Sequence, residues 1–390
     1  MTASLRQAAG SLLIVGLSGT ELTNLERAWL KLVRPAGIIL FRRNIESAKQ
    51  TRALLHEAAA LCVERSFRCV DVEGGTVDRL RDALAPLPSA QAVAVAASRS
   101  GWNVKLPTLS QRTRKDGAPS RSGLSREHGE LVAQAVKAFG FNTTLAPVMD
   151  LALPESAAVM GTRAAASTAD GVVDYARNFL AGLAVHRVVG CGKHFPGLGG
   201  GTLDSHLETP SIHRRWSDLW NEDLVPYRKL TSDLAMIMVS HATYPETRGK
   251  DRPASASAFW ITTVLRKRIG YRGIVLSDDL EMGGILKFMP MEEAAVVSVR
   301  AGTDLIEVCH SPELILRAYE ALISESERSA AFRNLLLGRA RHNARQRARL
   351  FAAGVPKALS ATQFEALRAR ILRFQEKVNK AQPAAEEQSA

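Results

Sequence analysis

Short apolar runs bounded by turn residues recur along the chain. They are Ser11–Leu17, Gly37–Phe41, Arg68–Val72, Asn142–Val148, Val188–His194, Met236–His241, Gly273–Ser277 and Asp304–Cys309. Each is nearly continuous in apolar residues rather than alternating, as a strand buried on both faces requires. Between most of them the apolar positions switch to helical spacing. Ala53-Leu54-Leu55 with Ala58-Ala59 is one example, and Ala133, Val136 and Phe139 are another. Buried strands separated by helices predict a parallel sheet covered by helices. Eight of them in about 320 residues predict a single TIM-like (β/α)8 barrel, with a doubly wound open sheet as the alternative.

The residues that end the runs favour closure. Asp71 and Glu73 end the third and Asp150 follows the fourth; Lys193 and His194 end the fifth. His241 ends the sixth, Asp278 and Asp279 the seventh, and His310 the eighth. In a barrel all of these converge on the C-terminal mouth, where barrel active sites lie. An open sheet would spread them along an edge.

The barrel is expected over residues 1–325, with a helical extension over 326–380 and an unstructured tail over 381–390. After Pro312 the pattern is helical at Glu313–Glu325, Phe332–Leu350 and Ala361–Asn379. A mobile basic insertion is expected at about 99–126, where periodicity is weak.

Net charge is +12, which invites a nucleic-acid reading, but its distribution argues against one. Arg99–Arg126 contributes +6 and Arg328–Arg349 contributes +7, so the remaining body is nearly neutral. One loop and one helix are not a continuous basic groove, and no nucleic-acid partner is expected. Such runs read as solvated faces. The apolar start, Ser11–Leu17, is too short to span a bilayer and lacks the features of an export signal. Stable membrane insertion is not expected; a cytoplasmic monomer is. Cys62, Cys69, Cys191 and Cys309 are scattered without metal-site spacing and read as free thiols, the last three in apolar stretches.

Chemistry concentrates in Cys191–Pro210, CGKHFPGLGGGTLDSHLETP. An apolar strand ends in Lys193-His194, glycines follow, and then Asp204-Ser205-His206. Asp204 and His206, at i and i+2 of an extended segment, project to one side. A carboxylate beside an imidazole favours the imidazolium, which can give a proton to a leaving oxygen and take it back. The same pair could equally serve a surface loop by bonding backbone. Asp278, directly after an apolar strand, suits a nucleophile held on a rigid element. Asp278 or Asp279 could instead cap the next helix, a task suited to Asp279. A metal held by His194, Asp204, His206 and Asp278 lacks a ligand spacing, and Lys193 disfavours a cation there. Asp71, Arg79, Lys193 and His194 suit a polar, hydroxyl-rich ligand such as a sugar.

These stretches resemble the bacterial β-N-acetylhexosaminidases of glycoside hydrolase family 3. The resemblance runs from about Gly10 to His310. It is carried by GIILFRRN (Gly37–Asn44), DVEGGTVDRLR (Asp71–Arg81), APVMDL (Ala146–Leu151), MGTR (Met160–Arg163), KHFPG with DSH, and SDDLEM. It implies a TIM-like barrel and a retaining, two-step hydrolysis. Asp278 matches the family nucleophile, His206 the mobile-loop acid/base, and Asp204 the partner that tunes it. Asp71, Arg79, Arg163, Lys193 and His194 match positions that hold N-acetylglucosamine. A glycan or muropeptide ending in β-linked N-acetylglucosamine, met in cytoplasmic peptidoglycan recycling, is the implied substrate, with no metal or organic cofactor.

The chain departs from the family pattern in three places. Leu198 and Gly200 stand where His and Asp are usual, Thr76 replaces a common Arg, and the basic insertion has no counterpart in short members. None touches Asp204, His206 or Asp278. A phosphorylase using the same residues, or a non-catalytic carbohydrate- or polyanion-binding barrel, are the other functions weighed.

Overall fold

The computed structural model describes residues 2–99, 121–201, 209–354 and 357–381. Among them the strands are β1 (Leu13–Gly16), β2 (Gly37–Leu40), β3 (Phe67–Val70), β4 (Val72–Gly74), β5 (Val77–Asp78), β6 (Thr143–Thr144), β7 (Val189–Phe195), β8 (Met236–Val239), β9 (Ile274–Asp279) and β10 (Leu305–Val308). Eight of these pair in parallel as a closed barrel, in the order β1-β10-β9-β8-β7-β6-β3-β2. Closure removes the open-sheet alternative.

The continuous apolar character of the strands follows from their two buried faces. Ile14, Ile39, Cys69, Cys191, Met238 and Leu276 fill the barrel interior. Their neighbours Val15, Ile38, Val70, Ile237 and Val275 pack outward beneath the helices. All four cysteines are buried and free. β6 is shorter than the Asn142–Val148 run because Pro147 has no N–H to give to a ladder. Pairing resumes as a single bridge between Val148 and Lys193.

Helix boundaries follow local chemistry. Asn24–Val33 opens with a capping box: the Thr23 hydroxyl accepts from the Glu26 N–H at 3.1 Å, and the Glu26 carboxylate accepts from the Thr23 N–H at 2.8 Å. It buries Trp29, Leu30 and Val33 and ends at Arg34, whose φ is 52°. A helix over Thr2–Gly10, absent from the sequence reading, precedes β1.

The extension is helical as expected, at Pro312–Arg328, Ala330–Leu350 and Ala361–Lys380. Phe351 meets Phe67 edge-on, with centroids 5.1 Å apart, and so plugs the N-terminal end of the barrel. The Arg-rich helix Ala330–Leu350 is not the purely solvated face its composition suggests. Arg339 bonds the buried Asp304 at 3.1 Å, Asn343 donates to the Asp304 carbonyl at 2.7 Å, and Arg347 is buried. Asp304 also pairs with Arg266 and accepts from the Val275 N–H at 2.8 Å. It therefore ties the extension to β9. Asp304→Asn leaves both guanidiniums without a countercharge, and a loss of about 2–3 kcal/mol is expected from urea unfolding midpoints.

The insertion is helical at both described ends, since Ala90–Arg99 and Arg121–Ala138 are helices. Residues 100–120 lie outside the described residues, as does the tail from 382. No helix among the described residues is long and apolar enough to cross a membrane.

Candidate active site

The C-terminal strand ends meet in one pocket. Asp71 follows β3, and the β4–β5 hairpin then delivers Glu73 and Arg79. The hairpin reverses at Gly74 (φ 92°) and Gly75 (φ 61°), conformations that suit glycine. A Cβ at Gly74 would also lie 2.1 Å from the Pro88 carbonyl oxygen. Arg163 enters from the short 3₁₀ turn Gly161–Arg163, Lys193 and His194 from β7, and Asp278 and Asp279 from β9. Phe41 forms part of the wall, stacked on His310 at 5.3 Å. Of the strand-end residues expected at the mouth, Asp71, Glu73, Lys193, His194, Asp278, Asp279 and His310 line the pocket, whereas Asp150 and His241 do not; His241 lies against Ser255 and the Asp279 carbonyl.

A buried ionic network organises one side. Lys193 Nζ lies 2.9 Å from Asp71 Oδ1 and 2.6 Å from Glu73 Oε1. Arg163 grips Glu73 with two bonds of 2.9 Å. Burial would drive Glu73 up, but Arg163 and Lys193 reverse this and hold its carboxyl well below the usual range. Burial likewise disfavours the Lys193 ammonium, and Asp71 and Glu73 more than compensate, leaving its pKa raised. Lys193 and Arg163 are therefore permanent cations aimed at the mouth. Arg79 is held more loosely, 3.9 Å from Asp71.

His194 is oriented from behind. Its Nδ1 lies 2.6 Å from Asp150 Oδ2, and its Nε2 lies 3.4 Å from Arg163 Nη2. A guanidinium only donates, so Nε2 accepts and the proton sits on Nδ1, facing Asp150. Asp150 also accepts from the Leu198 N–H at 2.7 Å, which ties the turn after β7 to the same carboxylate.

The opposite side is acidic. Asp278 lines the pocket, and its Oδ1 accepts from the Asp279 N–H at 3.0 Å. Asp279 does not cap a helix as the sequence suggested. The next helix, Gly283–Leu286, starts after Met282 without a side-chain cap. Asp279 instead accepts from the Glu281 N–H at 3.0 Å, closing a turn two residues on. Burial pushes Asp279 up to about 7; the Glu281 N–H opposes this, while the Glu281 and Asp278 charges add to it.

Asp204 and His206 lie outside the described residues. Asp71, Arg79, Arg163, Lys193, His194 and Asp278 all line the one pocket. Sequence reasoning placed Glu73 and Asp150 at strand ends but did not select them for the site. For Glu73 the signal was its i, i+2 spacing from Asp71, which keeps both on one side of an extended chain. Glu307 was missed altogether, although an acid inside an apolar strand is itself a signal. The departures from the family pattern find local explanations. Leu198 is 8 % exposed and contributes an apolar wall. A Cβ at Gly200 would lie 2.8 Å from the side chain of Arg214, which is bonded to Asp223 at 2.9 Å. Thr76 is exposed at the hairpin tip, away from the pocket lining.

Known proteins share the sequence family and the fold. The glycosyl hydrolase family 3 N-terminal domain matches residues 4–334. A beta-hexosaminidase from Alkalilimnicola ehrlichii is 38% identical over 304 residues, covering 78% of this chain and 82% of its own. The native NagZ structure from Neisseria gonorrhoeae superposes with a TM-score of 0.72 at 28% identity, over 95% of this chain and 97% of that one. A family 3 beta-N-acetylglucosaminidase from Paenibacillus gives a TM-score of 0.80 at 29% identity, over 95% of this chain and 68% of that one. With the family model matching most of its length, a beta-hexosaminidase relative at 38% identity and the barrel fold in agreement, the chain belongs to glycosyl hydrolase family 3.

Proposed function

We propose that this protein is a retaining, exo-acting β-N-acetylglucosaminidase that removes terminal β-linked N-acetylglucosamine from glycans or muropeptides. The observation that carries the reading is Asp278, presented by a barrel strand into a pocket whose other side is the Lys193, Arg163 and His194 array. Its relatives named as beta-hexosaminidases support the sugar class.

The roles follow from the geometry and from the motif match. Asp71, Arg79, Arg163, Lys193 and His194 hold the sugar hydroxyls and the acetamido group. The Asp278 carboxylate attacks the anomeric carbon as the bond to the leaving oxygen breaks, giving a covalent glycosyl-enzyme. His206, with Asp204 as its partner, gives that oxygen a proton. It then takes one from water as the water opens the intermediate. The pair is assigned from the DSH motif.

The test is an aryl-glycoside assay across the β-N-acetylglucosaminide, glucoside and xyloside. Turnover confined to the first supports the reading, and none on any of them overturns it. His206→Ala is expected to slow a substrate with a poor leaving group by on the order of 10²-fold or more, and an activated aryl substrate far less. Equal slowing of both would remove His206 from the acid role. Formation of a sugar 1-phosphate in phosphate buffer, in place of free sugar, would reassign the protein as a phosphorylase. A cytoplasmic monomer working in cell-wall recycling is part of the same proposal.

A further inference from the structure

One buried carboxyl oxygen in the pocket has no hydrogen-bond partner among the described residues. Glu307 lies in β10, two residues after Leu305 and two before Cys309, both of which face the barrel interior. Strand alternation turns Glu307 inward as well. Its register neighbours are Ile14 on β1 and Asp279 on β9. It is 2 % exposed and lines the pocket, and its Oε1 is buried without a hydrogen-bond partner among the described residues.

The fold has no evident use for this carboxyl. The Glu307 backbone is already satisfied: its N–H donates to Ser277 Oγ, and its carbonyl accepts from the Leu280 N–H. An unmet buried polar group costs about 1–3 kcal/mol, and an apolar side chain would fill the layer as Leu305 and Cys309 do above and below it. An acid there with a buried oxygen unpartnered among the described residues is placed for something that enters the pocket.

We propose that Glu307 is a further substrate-contacting residue, closing the floor of the pocket and hydrogen-bonding a hydroxyl of the sugar held there. This rests on the β-N-acetylglucosaminidase reading above. Burial, with Asp71, Asp279 and Asp278 close by and only Lys193 opposing, pushes the Glu307 carboxyl well above the usual range. Its buried Oε1 can accept from a hydroxyl, and the upward shift favours the protonated form, which can also donate. A sugar hydroxyl can satisfy both. Lys193 and Arg163 supply charged donors already shared with Asp71 and Glu73, whereas the Glu307 Oε1 is an unshared polar atom.

The test compares kcat/KM of wild type, Glu307→Gln and Glu307→Leu on an aryl β-N-acetylglucosaminide and on its 3-, 4- and 6-deoxy analogues. Glu307→Leu is expected to lose about 10-fold on the parent substrate, with a thermal midpoint at or above that of wild type. The loss should vanish on the one analogue that lacks the contacted hydroxyl, because the contact is then absent from both sides. Glu307→Gln keeps a donor and an acceptor and should stay within about 3-fold of wild type. Whatever shift it shows should disappear on the same analogue, which keeps the test open if the leucine variant folds poorly. Full efficiency of Glu307→Leu, or an equal penalty on all three analogues, overturns the proposal. Wild type inactive on the parent substrate overturns the underlying function; active wild type with a flat Glu307 pattern overturns this inference alone.

Discussion

Asp278→Ala is expected to lower kcat on an aryl β-N-acetylglucosaminide by on the order of 10⁴-fold or more, while the protein stays folded. No neighbouring group is set to replace it. Asp279 is tied to the Glu281 N–H and pushed up to about 7 by burial, and Glu307, more fully buried, is also raised. At a half-buried strand end water can replace the lost acceptors, among them the one for the Asp279 N–H, so the structural loss is small. The thermal midpoint should therefore barely move. The cavity left by the carboxylate admits a small anion, so added azide should restore turnover and yield the α-glycosyl azide. That stereochemical inversion would identify Asp278 as the group that forms the covalent bond. Activity of the variant comparable with wild type would overturn the assignment.

Lys193→Met is expected to destabilise the fold by about 3–5 kcal/mol and to abolish sugar binding with it. The lysine separates two carboxylates, Asp71 at 2.9 Å and Glu73 at 2.6 Å, in a site where all three side chains are largely buried. Methionine matches the stem but, among the described residues, leaves Asp71 with only the distant Arg79 and Glu73 with only Arg163 as cations. The effect has a defined pH dependence. Glu73 has its folded pKa below the ordinary 4.5, so the stability it supplies is present above that pH and is lost as pH falls. The deficit of Lys193→Met should thus be largest near neutrality and shrink on acidification. Adding Glu73→Gln removes one charge of each sign, and the double variant should lose less than the sum of the single losses. Urea midpoints at pH 7 and pH 4 check both points; a deficit that grows in acid would contradict the pairing.

Much of the architecture was legible because it is written in short periods. A strand buried on both faces is apolar at successive positions, a covering helix is apolar every three or four, and neither needs knowledge of distant residues. All eight runs became barrel strands, and the helices of the extension fall within a few residues of the expected spans. The acids and cations at the strand ends were legible for the same reason, since parallel strands in a barrel all end at one mouth. Boundaries failed where a single residue overrides the pattern, as Pro147 does in shortening β6.

The sequence by itself determined the order of the eight barrel strands and of the extension helices, most of the chemical groups delivered to the mouth, and the family. Only the tertiary structure decided how those groups are paired and charged. Closure brings Lys193 to within 2.9 Å of Asp71, 122 positions earlier, and sets Arg163 on Glu73 and Asp150 behind His194. It also divides the acids by environment, with Glu73 held low by two cations and Glu307 pushed up by burial among other carboxyls. Propensity and periodicity are local along the chain, so one sequence suffices to read them. Pairing, burial and protonation are properties of space, and they exist only once the barrel has closed.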